Sequence, residues 1–272
     1  MNQLTLVPEG GLSNRIIAIT SAISFVEKHN IRLKVIWIKD WGMGAGFYDL
    51  FTLSSDIEHV TIKDAGFWDF FKFKKPIKSN FFLPKLYQAL NFDAIYYWYK
   101  EQISVEEWYL SHPEASAFFL YHCQRFFDSK YLFNVLLPVN VIQKRIDEQK
   151  KLLSPHTIGL HIRRTDLTTA IRNSPLSVFI EKMYKEIALN PETDFYVASD
   201  SIEEKKKLKA LFGDRIITVD YNLKRNSKNG IIDALIELHT LASTKKIYGS
   251  FSSTYSILAS EIRKITIEIL QI

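Results

Sequence analysis

At 272 residues, 47% hydrophobic and 24% charged, the chain can bury one large core or two small ones, which excludes disorder as a description of the whole. No run approaches the roughly 20 apolar residues of a membrane span, the first residues carry no basic leader, and the single cysteine, Cys123, can form neither an internal disulfide nor a cysteine metal site; the expected compartment is the cytoplasm. The net charge of +5 is unevenly spread: residues 1–140 hold 14 Lys and Arg against 14 Asp and Glu, residues 141–272 hold 21 against 16, an excess that suits a phosphate-bearing small ligand and is too small for a nucleic-acid protein.

Residues 4–7 read as a short strand, 8–11 as a turn, and 14–29, with Ile16, Ile17, Ile19, Ile23 and Val26 on one face, as a helix. Residues 33–38, rich in β-branched and aromatic side chains, complete a βαβ opening that favours a parallel sheet covered by helices. Between Phe67 and Tyr99 the rhythm breaks: 13 aromatics fall in 33 residues, with Lys72, Lys74, Lys75, Lys78 and Lys85 among them. That segment fits a buried aromatic cluster, a platform for an acceptor sugar, or a peripheral membrane contact with anionic lipid. Strands at 157–162, 194–198, 216–219, 246–248 and 266–270 then alternate with helices at 175–187, 202–211, 231–241 and 253–262. The run Lys205-Lys206-Lys207-Leu208-Lys209, preceded by Glu203 and Glu204, reads as a solvated helix face. A boundary near 139–155, bracketed by Pro138 and Pro155, divides the chain into two α/β halves, 1–140 and 141–272.

Chemistry concentrates where predicted strands meet helices. Gly10-Gly11-Leu12-Ser13-Asn14-Arg15 matches neither GxGxxG nor a P-loop; it fits a tight turn with Ser13 as N-cap, or a backbone cradle for an anion. His161-Ile162-Arg163-Arg164-Thr165-Asp166 ends a strand, the place where open α/β sheets bind ligands. Strand alternation points His161 and Arg163 one way and Ile162 and Arg164 the other, so that one Arg can meet a ligand while the other pairs with Asp166. The planar guanidinium grips two phosphate oxygens and keeps its charge. Gly249-Ser250-Phe251-Ser252-Ser253-Thr254-Tyr255-Ser256 gathers hydroxyls at a helix start, more than an N-cap needs. Asp200, in Ala198-Ser199-Asp200-Ser201, could orient a ligand or cap the next helix. Glu9, in the first turn, is a turn residue that also has the chemistry of a base.

These residues resemble the motifs of the fucosyltransferase superfamily that includes alpha-1,6-fucosyltransferases, nodulation fucosyltransferases and protein O-fucosyltransferases. The glycine turn at 10–15, the HxRRTD signature at 161–166, the strand Phe195-Tyr196-Val197-Ala198-Ser199-Asp200, and the stretch from Leu238-His239 to Phe251-Ser252-Ser253 follow the family's order. The likeness covers 4–50 and 155–265 and is absent over 60–140. It implies a GT-B type α/β fold, two Rossmann-like halves facing across a cleft, with an N-terminal acceptor side and a C-terminal nucleotide-sugar domain. It implies an inverting, metal-independent glycosyltransferase without cofactor, which uses GDP-fucose as donor and a glycan as acceptor. The small size and the lack of an export signal point to a surface glycan or its lipid-linked glycan precursor as acceptor, and to a place in the cytoplasm or at the inner face of the membrane. By position, Arg163 is the catalytic Arg on the diphosphate. Gly11, Asn14, His161, Arg164, Asp166, Asp200, Ser252, Ser253 and Thr254 complete the donor set with Glu237, which stands where the family commonly has an Asp near the guanine. The family's HxRRTDK continues here as Asp166-Leu167, without the Lys. Two other readings of the same residues are a phosphohydrolase using the His161–Asp166 cluster and a non-catalytic module that binds a nucleotide sugar.

Overall fold

The computed structural model describes residues 2–129, 135–165, 168–219 and 224–272. The chain packs as two compact units, one of Met1–Val139 with Lys224–Ile231 and one of Asn140–Leu223 with Ile232–Ile272. In the first unit the elements run β1 (Gln3–Pro8), α1 (Leu12–His29), β2 (Arg32–Trp37), β3 (Phe51–Leu53), β4 (Val60–Asp64), α2 (Phe67–Phe73), α3 (Leu83–Asn91), β5 (Ala94–Tyr97), α4 (Val105–Leu110), β6 (Ala117–His122) and β7 (Leu136–Pro138). A parallel sheet is ordered β4-β2-β1-β6-β5, and β3 pairs with β7 in a small antiparallel ribbon. A parallel sheet is covered on both faces, so its strands are apolar almost continuously. In β6, Phe118, Phe119, Leu120 and Tyr121 are all buried.

Helix α1 starts two residues earlier than the apolar spacing suggests. Its N-cap is Gly11, with no side-chain cap bond, and Ser13 is a buried helical residue rather than the expected N-cap. The helix ends at Asn30, whose left-handed backbone (φ 51°) returns its N–H to the carbonyls of Glu27 and Val26.

The second unit holds α5 (Asn140–Lys150), β8 (Ile158–Ile162), α6 (Thr168–Asn173), α7 (Leu176–Leu189), β9 (Phe195–Ser199), α8 (Ile202–Phe212), β10 (Ile216–Ile217), the body of α9 (Lys228–Leu241), β11 (Ile247–Ser250), α10 (Thr254–Arg263) and β12 (Ile267–Leu270). Its sheet is parallel throughout and ordered β10-β9-β8-β11-β12. The core lies between this sheet and its helices, with Leu160, Ile162, Phe179, Met183, Val197 and Leu208 fully buried. The chain runs outward from β8 through β9 to β10, then returns to β11 on the other side of β8. The switch in strand direction of travel therefore falls between β8 and β11, where such sheets open a crevice at their carboxyl ends.

Candidate functional site

Two of the motifs are brought to that switch point. Ser250, the last residue of β11, donates its hydroxyl to the His161 carbonyl and accepts the Arg163 N–H, both at 3.0 Å. One hydroxyl thus ties the end of β8 to the end of β11 and sets the direction in which the chain leaves the sheet with Arg163. Just beyond, Ser252 takes a left-handed backbone (φ 57°), a costly conformation for a residue with a Cβ. It turns the chain into α10, where Ser253 is the N-cap without a side-chain cap bond, and Ser252 and Thr254 are exposed. Ser174 fixes the same turn by accepting the Phe251 N–H at 2.8 Å.

Asp200, directly after β9, organises the neighbouring segment. One carboxylate oxygen accepts the Arg164 N–H at 2.7 Å; the other accepts the Thr165 N–H at 3.2 Å and the Thr165 hydroxyl at 2.6 Å, and pairs with the Arg163 guanidinium at 2.9 Å. Arg163 retains 16% side-chain exposure, enough to present part of its fork to a ligand. Arg164 turns away, with its Nε 3.2 Å from Glu204 on α8 and its Nη1 donating to the Arg163 carbonyl. Both arginines are thus ion-paired, Arg163 with Asp200 and Arg164 with Glu204; Asp166, the partner expected from the sequence, lies outside the described residues.

His161 is 4% exposed. Its ring stacks on Tyr255 with 4.8 Å between centroids, and its Nδ1 lies 3.4 Å from the Ser253 hydroxyl. Burial, reinforced by the charge of Arg163, pushes its pKa down to about 3, so the imidazole is neutral at physiological pH. Behind β9, Glu237 of α9 and Lys205 of α8 form a buried ion pair at 3.1 Å, and Lys205 also donates to the Val219 carbonyl. Burial pushes the Glu237 carboxyl up to about 7 against the pull of Lys205. The lysine run is therefore not wholly a solvated face: Lys205 is 3% exposed and belongs to the core.

In the first unit, Gly10 has a φ of 90°, open only to glycine at low cost. A Cβ there would also come 3.0 Å from the Asn14 side chain, while Gly11 has open space. Arg15 clamps this turn: its Nε donates to the Gly10 carbonyl, its Nη1 to the Ile38 carbonyl, and its Nη2 pairs with Asp40 at 3.0 Å. Glu9 accepts the Trp98 indole N–H at 3.3 Å and pairs with Lys75 at 3.1 Å. Residues 161–165, 200 and 250–255 meet in the second unit, whereas Gly11 and Asn14 belong to the first. Ser250, Ser174, Glu204 and Tyr255 are supporting residues that sequence reasoning leaves out of the site. Only Ser250 and Tyr255 carry a signal, as members of the hydroxyl-rich turn. Among the described residues no cluster of three or more His, Cys, Asp and Glu could hold a metal ion, and no helix is long and apolar enough to cross a membrane.

Two Rossmann-like parallel-sheet units in one chain define an α/β fold of the GT-B type. That fold is shared with the NodZ alpha-1,6-fucosyltransferase soaked with GDP-fucose: TM-score 0.64, 16% identity, 96% of this chain and 92% of that chain. Fucosyltransferase NodZ from Bradyrhizobium gives 0.62 at 16% identity, over 95% and 92%. POFUT1 in complex with GDP-fucose gives 0.60 at 12% identity, over 99% and 97%. No protein-family model matches the sequence, and no curated protein matches it.

Proposed function

We propose that the protein transfers fucose from GDP-fucose to a glycan acceptor, with inversion at the sugar and without a metal ion. The observation that carries this reading is the placement of Arg163 and the first turn of α10 at the carboxyl ends of adjacent strands, tied together by Ser250. Both kinds of structural neighbour were solved with GDP-fucose, which supports the nucleotide sugar as donor.

Cleaving the sugar–phosphate bond puts growing negative charge on the departing diphosphate. A guanidinium and a helix N-terminus already aimed at that charge stabilise it more as it develops, which is the condition for lowering a barrier. Ser252, Ser253 and Thr254 supply hydroxyls for phosphate oxygens at that helix start. The sugar passes through an oxocarbenium-like state, as in glycoside chemistry; the acceptor hydroxyl attacks the face opposite the leaving group, the sugar–phosphate bond breaks to release GDP, and the hydroxyl proton passes to a base or to the departing diphosphate. Asp200 and Arg164 act as positioning residues, fixing the backbone from which Arg163 projects. His161 fits the same scheme as a neutral, buried support of the turn. Its burial and its stacking on Tyr255 weigh against a histidine nucleophile, and so against a phosphohydrolase.

Thermal unfolding with GDP, UDP, CMP or ADP, each in EDTA, tests the reading. A ligand that binds only the folded state at a hundred times its Kd adds about 2.7 kcal/mol. GDP alone is expected to raise the Tm, and Arg163→Ala is expected to remove the rise while leaving the fold intact by circular dichroism. No rise with GDP, or equal rises with all four, contradicts the proposal.

A further inference from the structure

The aromatic stretch of the first unit resolves into two layers. Inward, Phe73 and Tyr87 pack with Val7, Ile36, Tyr97 and Phe119. Gln88 pins α3 to α2 by donating to the Lys72 and Lys74 carbonyls at 3.0 and 3.3 Å, and the buried Asn80 donates to the Lys75 carbonyl at 2.9 Å. Outward, the same two helices are apolar again. Trp68 is 71% exposed, Phe81 77% and Leu90 75%, with Phe67, Leu83 and Leu86 beside them. These side chains flank a groove of about 600 Å³ in which Lys72 and Asn91 are the charged or amide-bearing lining residues. Phe81 and Phe82 both hold left-handed backbones (φ 53° and 54°), a strained arrangement for aromatic residues that keeps both rings exposed. A helix pair apolar on its inner and outer sides is unusual for a surface element in water.

The charge around this face identifies its partner. Residues 67–91 contain five lysines and one acid. The acid, Asp69, is buried and held by Lys63 at 2.8 Å. Lys74 and Lys75 are taken by Asp40 and Glu9, while Lys72, Lys78 and Lys85 are exposed. The rim therefore offers positive charge around an apolar centre. A second copy of this face would oppose like charges, and a sugar would find few hydrogen-bonding groups in the groove. An interface with hydrocarbon below and phosphate beside it meets both requirements.

We propose that the α2–α3 hairpin docks the protein on an anionic phospholipid bilayer, with Phe67, Trp68, Phe81, Leu86 and Leu90 at the headgroup–acyl boundary and Lys72, Lys78 and Lys85 against the headgroup phosphates. This surface is independent of the donor site, so its failure and that of the proposed activity are separate results.

The test is sedimentation of the full chain with vesicles of phosphatidylcholine alone or with roughly one-third phosphatidylglycerol. Binding is expected only or mainly to the anionic vesicles, weakening with salt. Trp68→Ser combined with Leu90→Ser is expected to lower the affinity by at least about tenfold, and both sites are exposed enough to leave the Tm unchanged. Trp68→Phe is expected to keep binding while losing most of the fluorescence quenching by brominated lipid. Absence of binding to anionic vesicles, or binding that the Ser pair leaves intact, overturns the proposal. So does a dimer in solution that the Ser pair dissociates without any effect on lipid.

Discussion

Lys205 stands in a run of four lysines within five residues, yet it is buried against Glu237. Local pattern cannot show this, because the partner lies 32 residues away on another helix; Leu208 and Phe212, apolar and buried at helical spacing from Lys205, hint that this face turns inward. Removing one member of a buried pair leaves the other charge uncompensated. Lys205→Ala is therefore expected to cost about 3–5 kcal/mol in denaturant unfolding, and Lys206→Ala, on the exposed face, less than about 0.5 kcal/mol. His161 makes a second prediction. Its folded pKa is depressed to about 3 from an ordinary 6.5, so the unfolded chain takes up a proton that the folded one refuses. That histidine leaves stability unchanged above pH 6.5 and subtracts from it as pH falls from there towards 3. Its NMR ring signals should not titrate between about pH 7 and 5; a midpoint near 6.5 would contradict the buried, neutral assignment. The HxRRTD string reads as a ligand-facing cluster, but the pairing of its arginines does not: Asp200 reads as a ligand-orienting or helix-capping residue and Glu204 as part of a charged helix start, since pairing across strands leaves no local spacing.

At the scale of elements, the long alternating segments are readable because their strands are buried on both sides and their helices have one apolar face. The strands of the second unit fall within a few residues of the positions that apolar runs indicate. The stretch from 51 to 138 is not readable. Its strands β3, β4, β5 and β7 are three to five residues long, α2 is apolar on both sides, and the leucine stripe of α3 faces outward while Pro84 and Gln88 are buried, so that helix's apolar periodicity does not mark its packed face. The glycine before the hydroxyl-rich turn also has a structural role that spacing alone does not reveal. A Cβ on Gly249 would lie 2.6 Å from the Ser256 hydroxyl and 3.0 Å from Ile269 Cδ1, because α10 packs tightly on β11. Gly249→Ala is expected to destabilise the protein by about 1–3 kcal/mol through overpacking, measured by urea unfolding. A neutral effect would mean that α10 can shift, and that its N-terminus is not rigidly aimed.

At the scale of the whole molecule, the two compact units change over at Val139 and Asn140, and Lys224–Ile231 packs with the first unit. There Gly44 donates its N–H to the Arg225 carbonyl at 2.8 Å and a Cβ on Gly44 would strike the Asn226 backbone at 2.4 Å, while Lys228 pairs with Asp49. A contact of one backbone with another distant in sequence has no signature in composition, so the return of this segment is hidden from a reading of the chain. In hydrogen exchange, GDP is expected to slow the amides of 161–165 and 249–256 in the second unit; protection elsewhere without these segments would move the nucleotide site. In the proposed reaction Arg163 stabilises a departing GDP. The most direct measurement is the rate of GDP release from GDP-fucose in EDTA, with water as acceptor, for the wild type and Arg163→Ala. The expected result is slow release by the wild type and a loss of about 10²–10³-fold in the variant, the range seen when a preorganised electrostatic group is removed. An unchanged rate in Arg163→Ala, or no release by a wild type that binds GDP, would contradict it.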